Sequence, residues 1–293
     1  MDAPTYLGID LGTSEVKLLL LDARSRILGT ASQGLQVSRP HPHWAEQHPR
    51  DWWEATQAAA VRLKAAQGEA YGRVQAVGLS GQMHGATLLG ARDEVLRPAI
   101  LWNDTRSAAE CDELAARCPG LEEIAGNLAM PGFSAPKLLW VARHEPELFR
   151  RVESVLLPKD YLRWCLTGEK FSDMSDASGT LWLDVAGRAW SSELLAGTGL
   201  SESHMPGLVE GSMPAGRLNA AGARGLGLKE GLVVAGGAGD NAASAVGIGA
   251  IAAGDGFVSL GTSGVLFVVT DRFRPNPALA VHAMQRRPFP MSH

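Results

Sequence analysis

The 293-residue sequence is poor in cysteine and close to neutral in charge. Its three cysteines, Cys111, Cys118 and Cys165, form no CxxC pair and fit no disulfide framework, which is typical of a reduced, cytoplasmic protein. Lys and Arg number 27 and Asp and Glu number 31, so the formal net charge is −4. Because no basic excess exists to neutralise a row of phosphates, binding to nucleic acid is not expected.

Segments suited to secretion or to a membrane are also missing. Residues 1–12 are acidic and lack the basic start and apolar core of a signal peptide. The longest weakly polar stretch, residues 231–254, has Asp240 and Asn241 near its middle and is a poor membrane span. We therefore expect a cytoplasmic protein without a membrane partner.

Several catalytic signatures do not occur. The sequence contains no GxxxxGK[ST] phosphate loop and no HExxH zinc motif, and residues 78–82 lack the final glycine of a serine-hydrolase elbow. A P-loop enzyme, a zinc protease and a serine hydrolase are thus not supported.

The pattern that is present alternates strands with helices. Glycine is abundant: it makes up 34 of the 293 residues, well above the average share of about 7%. Two apolar runs in residues 6–22 predict a β-hairpin buried on both faces, and helical spacing predicts a helix from an N-cap at Asp51 to Gly68. Further strands are predicted at 74–79, 95–101 and 232–236, and helices at 135–144 and 158–166. This alternation indicates an α/β fold.

The first hairpin recurs near the end of the sequence. Laid on itself at an offset of 249, the sequence repeats six residues: Leu11, Gly12, Thr13, Ser14, Val16 and Asp22 match Leu260, Gly261, Thr262, Ser263, Val265 and Asp271. Two related domains are the simplest interpretation. We assign residues 1–250 to the first domain and 251–293 to an incomplete start of the second, with an irregular tail from about residue 273.

The turn between the first two strands is suited to a phosphate. Gly12, Thr13 and Ser14 present backbone N–H groups and two hydroxyls. Asp10 precedes the turn, and its carboxylate would repel a phosphate unless a hard cation such as Mg²⁺ lay between them. The alternative is an ordinary hairpin with a polar turn.

Asp240 is the candidate general base. It follows a predicted strand and a glycine-rich turn, where it could accept the proton of a substrate hydroxyl that attacks a γ-phosphate. Alternatively it caps the helix that follows. Residues 237–242 also match the GxGxxA dinucleotide fingerprint, but Ser259 occupies the region where that motif requires an acidic residue.

Two further predicted strands end in polar residues. Met83 and His84 follow the strand at 74–79, while Trp102, Asp104 and Arg106 follow the next. Such groups at strand ends could hold a polyhydroxylated substrate. A core role for His84 and Trp102 is the alternative.

Seven motifs together resemble the FGGY family of carbohydrate kinases. They are GIDLGTS at 8–14, SGQMHG at 80–85, LWNDTR at 101–106, LPKDYL at 157–162, SDMSDASGT at 172–180, AGGAGDNAA at 235–243 and SLGTSG at 259–264. The resemblance implies two actin-like, ribonuclease H-like domains around a cleft, which agrees with the internal repeat.

The resemblance also implies roles for individual residues. Asp240 would be the catalytic base and Asp10 would assist it, with both carboxylates close to Mg²⁺. The remaining roles are sugar contact by Met83, His84 and Asn241, lining by Trp102, Asp104 and Arg106, and contact with the ATP phosphates by Gly12, Thr13, Ser14, Gly261 and Thr262. The implied reaction transfers the γ-phosphate of ATP to D-xylulose.

The sequence departs from the family at its end. Family members continue for roughly another domain, on the order of 200 residues, whereas here the familiar pattern gives way to a proline- and arginine-rich tail at 283–290. We therefore also keep open a sugar-binding half-enzyme without turnover, and a kinase for another pentulose or a pentitol. The resemblance allows a homodimer.

Overall fold

The computed structural model describes residues 3–260 and 264–283. The strands, in chain order, are β1 Thr5–Leu11, β2 Glu15–Asp22, β3 Ile27–Gly34, β4 Glu46–Gln47, β5 Val74–Gly81, β6 Thr87–Leu89, β7 Ala99–Ile100, β8 Ser154–Leu156, β9 Phe171–Asp173, β10 Leu183–Asp184, β11 Ala189–Trp190, β12 Gly207–Val209, β13 Pro214–Arg217, β14 Val233–Ala235, β15 Ala238–Gly239, β16 Gly256–Leu260 and β17 Gly264–Val268.

The α-helices lie mostly between the early and late strands. They are α1 Pro49–Gly72, α2 Ala108–Arg117, α3 Leu121–Ala125, α4 Ser134–His144, α5 Pro146–Phe149, α6 Pro158–Thr167, α7 Met174–Ala177, α8 Ser192–Gly197, α9 Ala220–Leu226 and α10 Asp240–Gly247. Short 3₁₀ turns cover Ser178–Thr180, Glu202–His204 and Pro277–Leu279. No helix in these described ranges combines the length and apolar character needed to cross a bilayer.

One mixed sheet organises the molecule. Its strand order is β13-β14-β5-β1-β2-β3, and β15 pairs with the end of β5. Strands β1, β2 and β3 are antiparallel neighbours, whereas β5 runs parallel to β1 and β14 runs parallel to β5. This α/β arrangement is the ribonuclease H-like sheet of the actin-like fold, and it confirms the predicted fold class.

Helix α1 covers one face of this sheet. The aliphatic side chains of β1 and β2 pack with α1, α6 and α9 in one core, whose members include Leu7, Ile9, Leu11, Leu18, Leu20, Trp52, Leu63, Leu162 and Leu226. On the other face, Tyr6 and Asp10 are exposed. The prediction of a hairpin buried on both faces was therefore wrong, because only one face is covered by these helices.

The predicted helix at 51–68 is α1, with different ends. His48 is the N-cap, and its Nδ1 accepts from the backbone N–H of Arg50; Asp51 lies in the first turn instead of capping it. At Gly68 the backbone leaves the helical conformation, with φ 43° and ψ −112°, and one further turn follows. The glycine that was predicted to end the helix thus kinks it.

A second core is formed by a part of the chain that lies, in sequence, after β5 and before β13 of the main sheet. Helices α2 and α4 pack there with β6 and β8 around Leu88, Leu114, Leu138, Trp140, Val155 and Trp182. The strand predicted at 95–101 contracts to Ala99–Ile100, because residues 91–98 form turns and an isolated bridge. Cys111 and Cys118 are buried and unpaired here.

The repeated segment near the end forms a second hairpin. Strands β16 and β17 pair antiparallel, from Gly256 opposite Val268 to Leu260 opposite Gly264. The chain then returns to the second core, where the Asn127 amide, just after α3, exchanges two hydrogen bonds with the Ala283 backbone, at 2.9 and 3.1 Å. The division into domains at residue 250, with an irregular tail from 273, stays a prediction.

Candidate active site

Three chain segments meet at the carboxyl edge of the sheet. In the parallel ladders, Leu11 of β1 pairs with Gly81 of β5, which also pairs with Gly239 of β15. The residues that follow these strands therefore emerge side by side. Convergence of this kind is what the sequence motifs required.

Asp10 lies at this edge with its carboxylate open to solvent. It is exposed on the uncovered face of β1, and Ser80 Oγ donates a hydrogen bond of 2.9 Å to its Oδ1. Across a parallel pair, Ser80 is the register partner of Asp10. The Ser80 hydrogen bond thus helps to fix the orientation of the Asp10 carboxylate.

Asp240 begins helix α10, after a tight turn. At Gly237, φ is 76° and a Cβ would lie 2.2 Å from the Leu79 carbonyl oxygen, so only glycine allows this approach. Asn241 donates to Asp240 Oδ1 from its backbone N at 2.7 Å and from its side-chain Nδ2 at 3.1 Å. The turn delivers Asp240 and Asn241 to the site as one unit.

The protonation of Asp240 depends on its surroundings. Its surface is partly open, yet the protein on its other sides limits hydration, and this desolvation raises the pKa of the carboxyl. The Asn241 hydrogen bond lowers that pKa, and the negative charge of Asp10 raises it further. The two carboxylates predicted to work together are therefore within electrostatic reach of each other.

Met83 and His84 lie against the same turn. A Cβ on Gly239 would come within 2.8 Å of Met83 Sδ, so Met83 packs on the backbone just before Asp240. His84 Nδ1 is 2.6 Å from the Gly179 carbonyl oxygen, which requires a proton on Nδ1. Burial lowers the pKa of His84 to about 3, so the imidazole is neutral and Nε2 is an acceptor.

The Gly-Thr-Ser turn is held by side chains that the sequence did not single out. Thr13 Oγ1 donates to Gln82 Oε1 at 3.1 Å, and Gln47 Nε2 donates to the Thr13 carbonyl at 2.8 Å. Gln82 Nε2 in turn donates to Gln47 Oε1 at 3.1 Å. Gln82 belongs to the SGQMHG motif, whereas only the folded structure brings Gln47 here.

This network bears on the predicted phosphate contact. The Thr13 hydroxyl also accepts from Trp102 Nε1 at 2.9 Å, so its hydrogen-bonding groups are used within the protein. The Gly12 N–H donates to Glu15 O at 3.0 Å. This leaves the backbone N–H groups of Thr13 and Ser14 as phosphate donors in the described part of the turn. The predicted partners Gly261 and Thr262 lie outside the described residues.

Trp102, Asp104 and Arg106 take two different places. Trp102 is 41% exposed at the site edge and bonded to Thr13. The side chains of Asp104 and Arg106 are buried and bonded to each other, with Glu46 as the second anion on Arg106. Direct sugar contact by these two stays a prediction, but their burial favours a supporting role. Asp104 Oδ2 also accepts a hydrogen bond from Ala45 N at 2.6 Å, which ties this pair to the segment before β4.

A buried ion cluster underlies the site, and nothing in the sequence analysis predicted it. Lys159 Nζ lies 2.6, 2.8 and 3.1 Å from oxygens of Asp160, Asp173 and Asp176. Burial lowers the pKa of Lys159, but the three carboxylates more than reverse this and raise it overall. Burial among like charges raises the pKa of Asp176 well above its ordinary value. The motifs LPKDYL and SDMSDASGT supply all four residues.

This cluster reaches the backbone that carries Asp240. Arg163 Nη2 donates to the Gly236 carbonyl at 2.5 Å. Ser175 Oγ donates to Asp173 at 2.5 Å and accepts from the Gly239 N–H at 3.3 Å. The turn before Asp240 is thus fixed on both sides by groups in or next to the cluster.

The donor set fits a hard cation. Asp10 and Asp240 are two neighbouring oxygen donors whose charges repel each other, and a divalent cation would relieve that repulsion. Within the described residues, no group of three or more His, Cys, Asp or Glu side chains could hold a metal ion. Two carboxylates with substrate phosphates and water are a typical Mg²⁺ environment.

Known proteins share both the sequence and this architecture. Xylulose kinase from Escherichia coli strain K12 is 55% identical over 280 residues, covering 95% of this chain and 57% of the relative. A crystal structure described as a xyloylose kinase from Brucella ovis is 56% identical with a TM-score of 0.94, covering 96% of this chain and 58% of that one. A xylulose kinase structure from Rhodospirillum rubrum is 31% identical with a TM-score of 0.90, covering 93% and 56%.

The chain thus spans less than two thirds of the length of these relatives. A family model describes the part that is shared. Residues 5–247 match the N-terminal domain of the FGGY family of carbohydrate kinases. This chain belongs to the FGGY family of carbohydrate kinases.

Proposed function

We propose that this chain binds D-xylulose and forms the sugar half of an ATP-dependent kinase that produces D-xylulose 5-phosphate. The observation that carries this proposal is the placement of Asp240, with its raised pKa, beside Asp10, Met83 and His84 at the meeting strand ends. The relatives named xylulose kinase support the choice of sugar.

Asp240 supplies the base in this proposal. A raised pKa makes its carboxylate a stronger base than an ordinary aspartate. It accepts the proton of the sugar hydroxyl that attacks the γ-phosphate of ATP. Asn241, bonded to the same carboxylate, keeps it oriented toward the sugar.

His84 and Met83 form the sugar wall. Because His84 Nδ1 carries its proton toward Gly179, Nε2 is left to accept a hydrogen bond from a sugar hydroxyl. The Met83 side chain, packed against Gly239 next to the base, gives the sugar an apolar surface. Mg²⁺ held by Asp10 and Asp240 would neutralise charge on the phosphates, and the Thr13 and Ser14 N–H groups would hold a phosphate oxygen.

A sugar-binding protein without turnover is the second candidate. The observation that favours it is the second hairpin, whose apolar side chains are exposed in place of forming a cleft wall. Calorimetry with D-xylulose and a coupled assay with ATP separate the two: binding without turnover by the pure 293-residue chain supports this candidate. Other pentuloses and pentitols, titrated in parallel, identify the preferred sugar.

The decisive experiment for the kinase is Asp240→Asn in a version extended to the length of the relatives. We expect turnover to fall by about a thousandfold or more, because the base is removed, while sugar affinity stays within about tenfold. Asp112→Asn, on the exposed face of α2, is the matched control and leaves turnover unchanged. Turnover of Asp240→Asn within about tenfold of wild type would return Asp240 to the role of a helix cap.

A further inference from the structure

Lys137 is a buried cation that the proposed chemistry does not use. It lies on α4, fully buried, and no ion pair to a carboxylate involves it in the described part of the chain. Its Nζ donates instead to two backbone carbonyls, at 2.9 Å to His84 and 2.6 Å to Gly132. Burying an ammonium group without a carboxylate partner is costly, so this placement calls for a functional reason.

The first carbonyl belongs to a strained residue. His84 has φ 66°, a left-handed conformation that non-glycine residues adopt at a cost in energy. Ser134, one helical turn before Lys137, donates a second hydrogen bond of 3.1 Å to the same carbonyl. Two donors from one helix therefore hold the peptide of a residue that does not favour its conformation.

The second carbonyl belongs to the loop that contacts Trp102. A Cβ on Gly132 would lie 2.8 Å from the Trp102 carbonyl oxygen, so these two backbones touch. Trp102 in turn donates to Thr13 in the phosphate turn. One ammonium group thus joins the segment after β5 to the loop beside Trp102.

We propose that Lys137 is a positioning residue of the sugar site: its ammonium group fixes the His84 carbonyl against the Gly132 loop and so aims the His84 imidazole at the sugar. This inference rests on the proposed sugar-binding function. Lys137 itself contacts no substrate. Its effect on the sugar passes through the backbone of His84.

The electrostatic setting agrees with this role. Burial lowers the pKa of Lys137 to about 7, the Asp104 carboxylate raises it and the Arg106 guanidinium lowers it. The neutral His84 imidazole adds no charge. Asp104, buried behind the site, is therefore the counter-charge that helps to keep the ammonium protonated without pairing with it.

The test is a double-mutant cycle on the 293-residue chain, read by calorimetry with D-xylulose. We expect Lys137→Met and His84→Ala each to weaken binding about tenfold or more, and the double variant to bind no more than about threefold weaker than His84→Ala alone. Non-additivity follows because Lys137 acts through His84. Losses that multiply, or wild-type affinity in Lys137→Met, would overturn the inference.

Lys64→Met is the matched control. Lys64 also donates to a backbone carbonyl, that of Gly227 at 2.9 Å, but on the surface of α1. We expect unchanged sugar affinity for this variant. If Lys137→Met does not fold by circular dichroism, Ser134→Ala replaces it, since it removes the other donor to His84. A threefold or larger loss in Ser134→Ala that vanishes in the His84→Ala background supports the proposal, and wild-type affinity contradicts it.

A measurement without sugar separates the positioning role of Lys137 from the proposed sugar-binding function. In ¹⁵N NMR spectra, the Nδ1–H of His84 that bonds to Gly179 should shift in Lys137→Met and stay in place in Lys64→Met. If wild type binds no pentulose or pentitol, the proposed function fails, and this resonance still decides whether Lys137 positions His84. An unmoved resonance in folded Lys137→Met would refute the positioning role.

Discussion

The strands that flank the two Gly-Thr-Ser segments pair antiparallel in both copies, but the surroundings of the two pairs are opposite. In the first, β1–β2, the alternating side chains Leu7, Leu18 and Leu20 are fully buried beneath α1. In the second, β16–β17, Leu260 and Leu266 are 83% and 73% exposed. The apolar pattern decides that a hairpin forms, and the neighbouring elements decide whether its apolar face is buried.

The two hairpins also differ at the position that carries chemistry. At the repeat offset, Asp10 of the first hairpin corresponds to Ser259 of the second. The first hairpin supplies a carboxylate next to Asp240, whereas the second supplies a hydroxyl. In the proposed mechanism, therefore, only the first hairpin would hold a cation, and the second would contribute only uncharged donors to phosphate.

The largest difference should appear on truncating one leucine in each hairpin. We expect Leu18→Ala to lower the free energy of unfolding by about 2–5 kcal/mol, because it leaves a cavity in the core. Leu266→Ala should change it by less than about 0.5 kcal/mol, because the side chain is already exposed. Urea unfolding followed by circular dichroism measures both, and equal losses would contradict the difference in burial.

The second largest difference should appear in the rates at which a protease cleaves the two hairpins. Trypsin should cut after Arg272, which is exposed beyond β17, about tenfold faster than after Lys17 of β2, whose backbone is bonded on both sides within the sheet. Mass spectrometry of a time course identifies the order of cleavage. Early cleavage at Lys17 would show that the first hairpin opens as readily as the second.

Self-association should depend on the second hairpin alone. A variant with Leu260→Lys and Leu266→Lys should need a severalfold higher concentration to associate in sedimentation experiments, because it removes exposed apolar surface. Ile27→Lys, which replaces an exposed apolar side chain of β3, serves as control. Association that persists in the double variant would place the contact elsewhere.

The smallest expected effect concerns the carboxylate that only the first hairpin carries. Desolvation raises the pKa of Asp240, and the Asp10 charge raises it further, so Asp10→Ser should lower this pKa. Since a base works in its ionised form, the activity of the extended enzyme falls as pH drops through this pKa. In Asp10→Ser the acid limb of the pH profile should move to lower pH, alongside a loss of turnover. An acid limb that moves to higher pH would contradict the repulsion between the Asp10 and Asp240 carboxylates.

Much of the fold follows from local patterns in the sequence. The apolar run at 74–79 predicts the strand that the structure shows at Val74–Gly81, and helical spacing predicts the buried face of α1, since Trp52 and Leu63 do lie in the core. The positions of strand ends then brought Met83 and Asp240 together. Such features depend on residues that are close in sequence and on parallel pairing of the strands. Both can be predicted from the sequence pattern alone.

The rest depends on contacts between distant segments. Lys159 and Asp173 look like ordinary surface charges in sequence, and only the folded chain shows that they neutralise each other in the interior. Likewise, the sequence does not show that Arg106 is paired in the interior with Glu46, far earlier in the chain. Hydropathy assigns charged residues to the surface, so it cannot identify charges buried by pairing.

The central position of β5 constrains the order in which this chain can fold. Its neighbour on one side, β1, is made early, but its neighbour on the other side, β14, follows only after all the helices from α2 to α9. Until Val233–Ala235 has been synthesised, one edge of Val74–Gly81 is open to another nascent chain. Folding of the half-made sheet should therefore be slow and sensitive to crowding on the ribosome, and complete pairing sets the time at which the site around Asp240 can first assemble.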